Sequence, residues 1–413
     1  MDDRQRPDSD EATRPAARIG GDLFPFFVTA LCTAGLLVLA SASTTRGATL
    51  FGDPFYFLKR QLVWLATGIV AALAVSYMDC RWWKKAAPPL GVLTAALLVL
   101  VLVIGRPING CQRWLDLGPV NFQPSELAKF ATVLMLAWWF AKAPLRAGQI
   151  LPRDPWQIGR YKEGLLLPGI ALCATLGLVL KEPDFGATAM IAMIGWLLLL
   201  LAGGNLKWLL VSAILVSLVL GWYVWHNPHR RELIEAWWDP EGHPKLAFQY
   251  LEARKAFMLG GLTGVGYTGS LSKQFYLPEV HTDFIFPVAA EELGLWGVLG
   301  IVLLFAGFLV SGLTISLRSG DYFSRLLGIG ITLLITLQAA FNLFVVTGML
   351  PTKGLALPFF SYGGSNLLIT LVQCGVLVSI SREPEREEAR LAEEPLLESR
   401  PVERVNAKNL GFL

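Results

Sequence analysis

Ten apolar runs separated by polar loops leave this chain few folds to choose from. They fall at 24–43, 61–78, 87–105, 125–141, 164–180, 187–203, 206–225, 285–314, 326–347 and 366–381. A helix needs about 20 apolar residues to cross a bilayer. Backbone at that depth must satisfy its own hydrogen bonds, which restricts spanning segments to helices or closed barrels. Runs of this length predict an all-α fold: a polytopic integral membrane bundle of ten transmembrane helices. Composition points the same way, with 54% hydrophobic and 16% charged residues, against about 25% charged in soluble domains.

Loop charge sets the orientation. "RWWKK" (81–85) follows the second run, and Lys142, Arg146, Arg153, Arg160 and Lys162 follow the fourth. Lys207 follows the sixth, and Arg318 and Arg325 follow the eighth. These alternate loops share one side, which the positive-inside rule makes cytoplasmic. Both termini fall there as well. Residues 1–21 are polar and rich in Arg, Asp and Pro, and are expected to be a disordered cytoplasmic N-terminus. "ASAS" at 40–43 faintly mimics a processing site, but the run before it is too long for a signal h-region, so an uncleaved first helix is expected. Residues 22–381 form the membrane domain, and 382–413 read as a charged, solvated cytoplasmic tail. The stretch 226–284 is a large extracytoplasmic loop between spans seven and eight.

The eighth run is too long for one crossing. Residues 284–314 would extend about 46 Å as a single helix, at 1.5 Å per residue, against a hydrocarbon core of about 30 Å. Gly294 and Gly297 predict a break there, with a partial helix before it.

Four polar stretches meet the outer face. In "RPINGCQRWLDLGPVNFQPSELAKF" (106–130), Pro124 opens a helix, Glu126 sits in its first turn and Lys129 follows three residues on, on the same face. A surface pair with a snorkelling lysine and a functional pair fit that spacing equally. "KEPDFGATAM" (181–190) places Lys181, Glu182 and Asp184 in a tight connection, where a capping Asp is the plain reading. The large loop ends in "YLPEVHTDFIFPVAAEELG" (276–294), with Asp283 at the lip of an apolar run and Glu291 and Glu292 behind it. "GMLPTKGLALPFFSYGGSNLL" (348–368) is irregular and rich in backbone N–H groups suited to anions. Carboxylates and the cations Arg113, Lys129, Lys273 and Lys353 thus share one membrane face. Cations suit a phosphate-bearing substrate, and a carboxylate suits general-base work. An N-cap on the helix that follows is the rival role for Asp283. His281 is expected to pack rather than bind metal, since no second His stands at ligand spacing.

Other classes drop out. The net charge of +3, without basic runs interleaved with aromatics, gives no footprint for nucleic acid. The five cysteines show neither C-x-x-C spacing nor a disulfide framework. No glycine-rich stretch follows a strand or carries Gly-Lys-Ser/Thr, which excludes a nucleotide P-loop.

Several ordered motifs together resemble the SEDS family of bacterial cell-wall proteins (shape, elongation, division and sporulation). They are "QPSELAK", "YLPEVHTDFIF" with "EELG", and "LPFFSYGG", supported by "SAS" (41–43), "FYFLKRQ" (55–61), "NG-x-x-RW" (109–114) and "PDFG" (183–186). The similarity runs from about residue 22 to 381. It departs from the family pattern at Cys111, at "KEPDFG" in place of the commoner "QPDLG", at "GYTGS" and at Asn366.

The resemblance implies a peptidoglycan glycosyltransferase that polymerises lipid II, inverting the donor anomeric carbon and releasing undecaprenyl pyrophosphate. It implies Asp283 as the essential acid, and Arg113, Trp114, Glu126, Lys129, Lys273, Lys353 and Ser361 as substrate-binding residues. "LPTKGLALPFFSYGGS" is more similar to the division branch than to the elongation branch. The implied location is the bacterial inner membrane at the division septum. The implied partners are a class B penicillin-binding transpeptidase, touching spans eight and nine, and other divisome proteins. No metal ligands are named, and a divalent cation such as Mg²⁺ or Mn²⁺ is left open as cofactor. A lipid II flippase or a scaffold for a transpeptidase would use the same bundle; labelled lipid II separates them by polymer, by movement between leaflets, or by neither.

Overall fold

In the computed structural model each of the ten apolar runs forms a helix. The structure describes residues 23–108, 111–116, 118, 121–142, 166–203, 206–273, 281–351, 354–383 and 386. In chain order the elements are α1 (Phe24–Ala42), α2 (Thr44–Phe51), α3 (Tyr56–Ser76), α4 (Cys80–Ile104), β1 (Arg106–Ile108), β2 (Cys111–Asp116), β3 (Asn121–Phe122) and α5 (Pro124–Phe140). There follow α6 (Leu167–Lys181), α7 (Phe185–Leu201), α8 (Leu206–His226), α9 (Pro228–Trp238), α10 (Phe248–Gly260), α11 (Ile285–Arg318), α12 (Tyr322–Val346) and α13 (Gly364–Ser381). Among the described residues, seven helices are long and apolar enough to cross a membrane: α1, α3, α4, α8, α11, α12 and α13. Helices α6 and α7 are apolar but shorter.

The bundle is sorted by burial. Helices α5, α12 and α13 lie inside, with faces such as Leu134, Phe323 and Leu377 fully buried. Helices α4 and α8 hold apolar side chains such as Val92, Val103, Leu218 and Trp222 outward. Apolar surface on that scale suits lipid rather than water.

Three local differences from the sequence reading have physical causes. "RWWKK" is helical rather than a loop, because the Asp79 side chain accepts from Arg81 N and starts α4 there; Pro88 and Pro89 then fall inside the helix. Residues 106–108, 111–116 and 121–122 add a small antiparallel sheet to the otherwise helical elements among the described residues. Its strand order is β1-β2-β3, with Arg106 opposite Trp114 and Leu115 opposite Phe122. Asn109-Gly110, the strongest short hairpin signal a sequence carries, separates the paired Ile108 and Cys111. The start of the tail is docked rather than solvated. Arg382 and Arg386 donate to the Ser76 and Met78 carbonyls at the end of α3. Glu383 accepts from the Ser319 and Ser324 hydroxyls, both at 2.6 Å.

Helix α11 breaks where expected. Gly294 has φ 66° and ψ −168°, a conformation an L side chain rarely adopts. A Cβ there would also collide with the Gly264 amide and the Leu262 carbonyl. The break is at Gly294 alone, and Gly297 is helical. The part before the break, Ile285–Glu292, is wholly buried. The large loop packs against it through α10, and Val265 N and Gly266 N donate to the Glu291 and Glu292 carbonyls at 2.9 and 3.2 Å.

Candidate functional site

A cleft of about 620 Å³ opens among β2, the starts of α3, α5, α7 and α13, and the segments 281–283 and 354–356. Asp116, Glu126, Asp184 and Asp283 line it, with Arg60 and Arg113 as its described cations. Trp64, Trp114 and Tyr362 supply aromatic surface.

Asp283 is placed by its own backbone. Three consecutive carbonyls accept from three donors: His281 O from Tyr362 N at 2.8 Å, Thr282 O from Ser361 Oγ at 2.6 Å, and Asp283 O from Asn342 Nδ2 at 2.9 Å. The segment cannot shift without breaking all three. The N-cap of α11 is Phe284, and no side chain caps it, so the Asp283 carboxylate does not serve as the cap that the sequence allowed. It faces the cleft beside Gly354, where a Cβ would overlap Asp283 Oδ2.

The facing loop is held by α12. Asn342 Nδ2 also donates to Leu355 O at 2.6 Å, and Gln338 Nε2 donates to Ala356 O at 2.9 Å. Gln338 Oε1 accepts from Lys129 Nζ at 2.6 Å. Lys129 in turn pairs with Glu126 Oε2 at 2.8 Å. Lys129 is only 2% exposed, so the snorkelling surface pair does not describe it. One hydrogen-bonded path therefore runs from the cleft carboxylate Glu126 to the loop beside Asp283. Removing one partner of a buried pair costs about 3–5 kcal/mol.

Asp184 does cap α7, accepting from Ala187 N at 3.1 Å. Its second oxygen accepts from Gln123 Nε2 and Ser125 Oγ, both at 3.0 Å, which ties the start of α5 to that of α7. Arg113 on β2 donates Nε to Glu182 O at 3.3 Å and Nη2 to Pro183 O. The turn 182–183 thus holds that guanidinium at the cleft.

The residues singled out from the sequence separate into three groups. Asp283, Arg113, Trp114 and Glu126 line the cleft, and Lys129 lies just behind it. Ser361 and Lys273 lie elsewhere. The Ser361 hydroxyl is spent on Thr282 O and on accepting from Leu357 N at 2.7 Å. Lys273 Nζ sits against Glu292 at 3.1 Å, Ser41 Oγ at 3.0 Å and Thr268 O at 2.6 Å, under the large loop. Lys353 lies outside the described residues. His281 packs against the Phe57 and Tyr362 rings, at 4.5 and 5.8 Å between centroids.

Sequence reasoning assigned no role to Arg60, Trp64 or Gln123, all cleft-lining. A charge at the mouth of an apolar run, as in "FYFLKRQ", was the available signal for Arg60. Among the described residues no group of three or more His, Cys, Asp or Glu is arranged to hold a metal ion. The divalent cation left open by the sequence therefore finds no ready ligand set among them.

The chain has recognisable relatives among known proteins. Residues 22–386 match the family model FTSW_RODA_SPOVE, described as cell cycle protein. The chain is 39% identical over 357 residues to a probable peptidoglycan glycosyltransferase FtsW of Trichlorobacter lovleyi, covering 86% of this chain and 91% of the relative. To its counterpart in Coxiella burnetii it is 38% identical over 361 residues, covering 86% and 94%. Among solved structures, a chain from a study of polymerisation and crosslinking by a peptidoglycan synthase complex superposes with a TM-score of 0.71. That match has 30% identity and covers 87% of this chain and 97% of that one. The rod shape determining protein RodA of Thermus thermophilus superposes at 0.63, with 29% identity over 87% and 96% of the two chains.

Proposed function

The chain belongs to the FtsW/RodA/SpoVE family of cell cycle proteins, and from that premise we propose how its outer cleft joins two lipid-linked sugars. The protein is a peptidoglycan glycosyltransferase of the SEDS family that acts in the membrane in cell division. Its substrate is lipid II, used both as donor and as acceptor. Asp283 takes the proton from the acceptor GlcNAc 4-hydroxyl. That oxygen attacks the anomeric carbon of the donor MurNAc from the face opposite the pyrophosphate. The bond to the pyrophosphate breaks, undecaprenyl pyrophosphate leaves, and the α link becomes β. A positioned general base contributes typically 10²–10⁴-fold.

Arg60 and Arg113 stand where the cleft can meet the leaving pyrophosphate, and fixed cations at developing charge are an effective form of catalysis. Trp64 and Trp114 offer flat surfaces to the sugars. Lys273 takes no part, because its three contacts are internal. The ten apolar helices, the seven long ones together with the shorter α5, α6 and α7, cross the membrane, with both termini cytoplasmic and the cleft on the outer face at the septum. A class B transpeptidase docks on α11 and α12, alongside other divisome proteins.

The observation that carries the reading is the Asp283 segment, tied at three consecutive carbonyls so that its carboxylate faces a cleft holding two arginines. Asp283→Asn keeps the size but cannot act as a base. Purified variant with lipid II is expected to lose polymerisation by about 10²-fold or more at an unchanged thermal midpoint. Wild-type polymer from the variant would refute the base.

A further inference from the structure

Glu182 is a carboxyl that the reaction described above does not use. It is fully buried, and neither of its oxygens has a hydrogen-bond partner. An ionised carboxylate without donors is not tolerated in such a place, and the group neutralises instead. Its charged neighbours are Arg113 from β2 and Asp184 from the same turn. Asp184, unlike Glu182, already accepts from three donors. A second negative charge two residues away would face it directly.

We propose that Glu182 is a positioning residue which, as a neutral acid, leaves the Arg113 charge to the pyrophosphate, and which on ionising draws that charge back into the turn. The guanidinium is held by the Glu182 and Pro183 backbone carbonyls, so it stays within electrostatic reach of a carboxylate formed in the same turn. The proton that Glu182 loses goes to solvent, and it returns when an anion occupies the cleft. Burial, and then Asp184, push the Glu182 carboxyl up to about 8, with Arg113 opposing. Lipid II affinity is therefore expected to be full below that value and to fall as pH rises through it. This rests on the reading of the cleft as the lipid II site.

The test is the KM for lipid II of the purified full chain, at pH 7 and pH 9, for wild type, Glu182→Gln and Glu182→Met. Neither variant can ionise, and the Met variant should fold because the carboxyl has no partners to lose. With a midpoint near 8, wild-type KM should rise about tenfold between the two pH values while kcat changes less. Both variants should hold KM within about twofold across the same interval. A flat wild-type KM, or the same rise in the variants, overturns the inference while leaving the glycosyltransferase reading intact. Both variants melting far below wild type also overturns it, because the carboxyl would then have partners. Absence of polymer from wild type at pH 7 overturns the reading of the cleft as well.

Discussion

Lys129 and Lys273 each end in a buried ion pair, 2.8 Å from Glu126 and 3.1 Å from Glu292. The residue types are the same, and their surroundings differ. Glu292 also accepts from Ser41 Oγ at 2.5 Å and Ser270 N at 3.4 Å, and its neighbour Glu291 accepts from Ser270 Oγ, Leu271 N and Ser272 N. Both ends of that pair are held by protein: Glu292 has three donors and Lys273 Nζ three acceptors. It clasps the end of α1, the segment 268–273 and the part of α11 before its break together. Glu126 instead keeps a side on the cleft, and its lysine leads through Gln338 to the loop beside Asp283. A buried pair is weak evidence of net stability, but breaking one is costly. What separates structure from chemistry here is whether one partner still opens on the cleft.

The hardest test of that contrast is Lys273→Met. It leaves Glu292 buried without its cation and is expected to cost about 3–5 kcal/mol, read as a lower thermal midpoint in detergent. The double variant Lys273→Met, Glu292→Gln should recover part of the loss. A single variant that melts like wild type yet fails to polymerise would move Lys273 from the clasp to the substrate.

The sequence carried one half of this contrast and hid the other. Glu126 and Lys129 are three apart on one helix, and helical geometry alone makes them neighbours. The break at Gly294 was legible because a helix of that length overshoots the bilayer. Lys273 and Glu292 are 19 residues apart across a loop, and Lys129 meets Gln338 across 209 residues. Periodicity says which face of a helix is apolar, but not which helix it meets. The same limit hid Arg60 and Trp64, whose place in the cleft depends on α3 packing against α13. Ser361 came as a substrate ligand from the family resemblance alone, and the hydrogen bond from its hydroxyl to Thr282 O, which ties down the Asp283 segment, spans 79 residues that no local pattern connects. Asn109-Gly110 was the available signal for the sheet, but β1 and β3 are too short for a period of two to stand out and β2, CQRWLD, does not alternate.

A smaller effect sharpens the cleft side. Glu126→Gln and Lys129→Met should each lower polymerisation, and the double variant should lose less than the sum. Coupling of about 0.5–3 kcal/mol is usual for residues in one network. Rates are compared well below each midpoint, so that instability is not mistaken for lost chemistry. Additive losses would mean that the two side chains act separately and that the path through Gln338 carries nothing.

The smallest effect belongs to a pair outside both networks. On α9, Arg231 Nε lies 3.2 Å from Glu235 Oε1, with side chains 52% and 47% exposed. Water competes for both charges, and the order, with the cation nearer the helix start, is the less favourable one for spacing i,i+4. Such pairs are worth about 0.3–0.5 kcal/mol. Helix α9 has better anchors: Ala236 is buried, and Trp237 Nε1 donates to Gly348 O at 2.8 Å. Glu235→Gln is therefore expected to leave both the midpoint and the polymerisation rate within error. A drop comparable to that of Lys273→Met would mean that exposure does not sort these pairs, and the distinction between clasp, cleft and surface would fail with it.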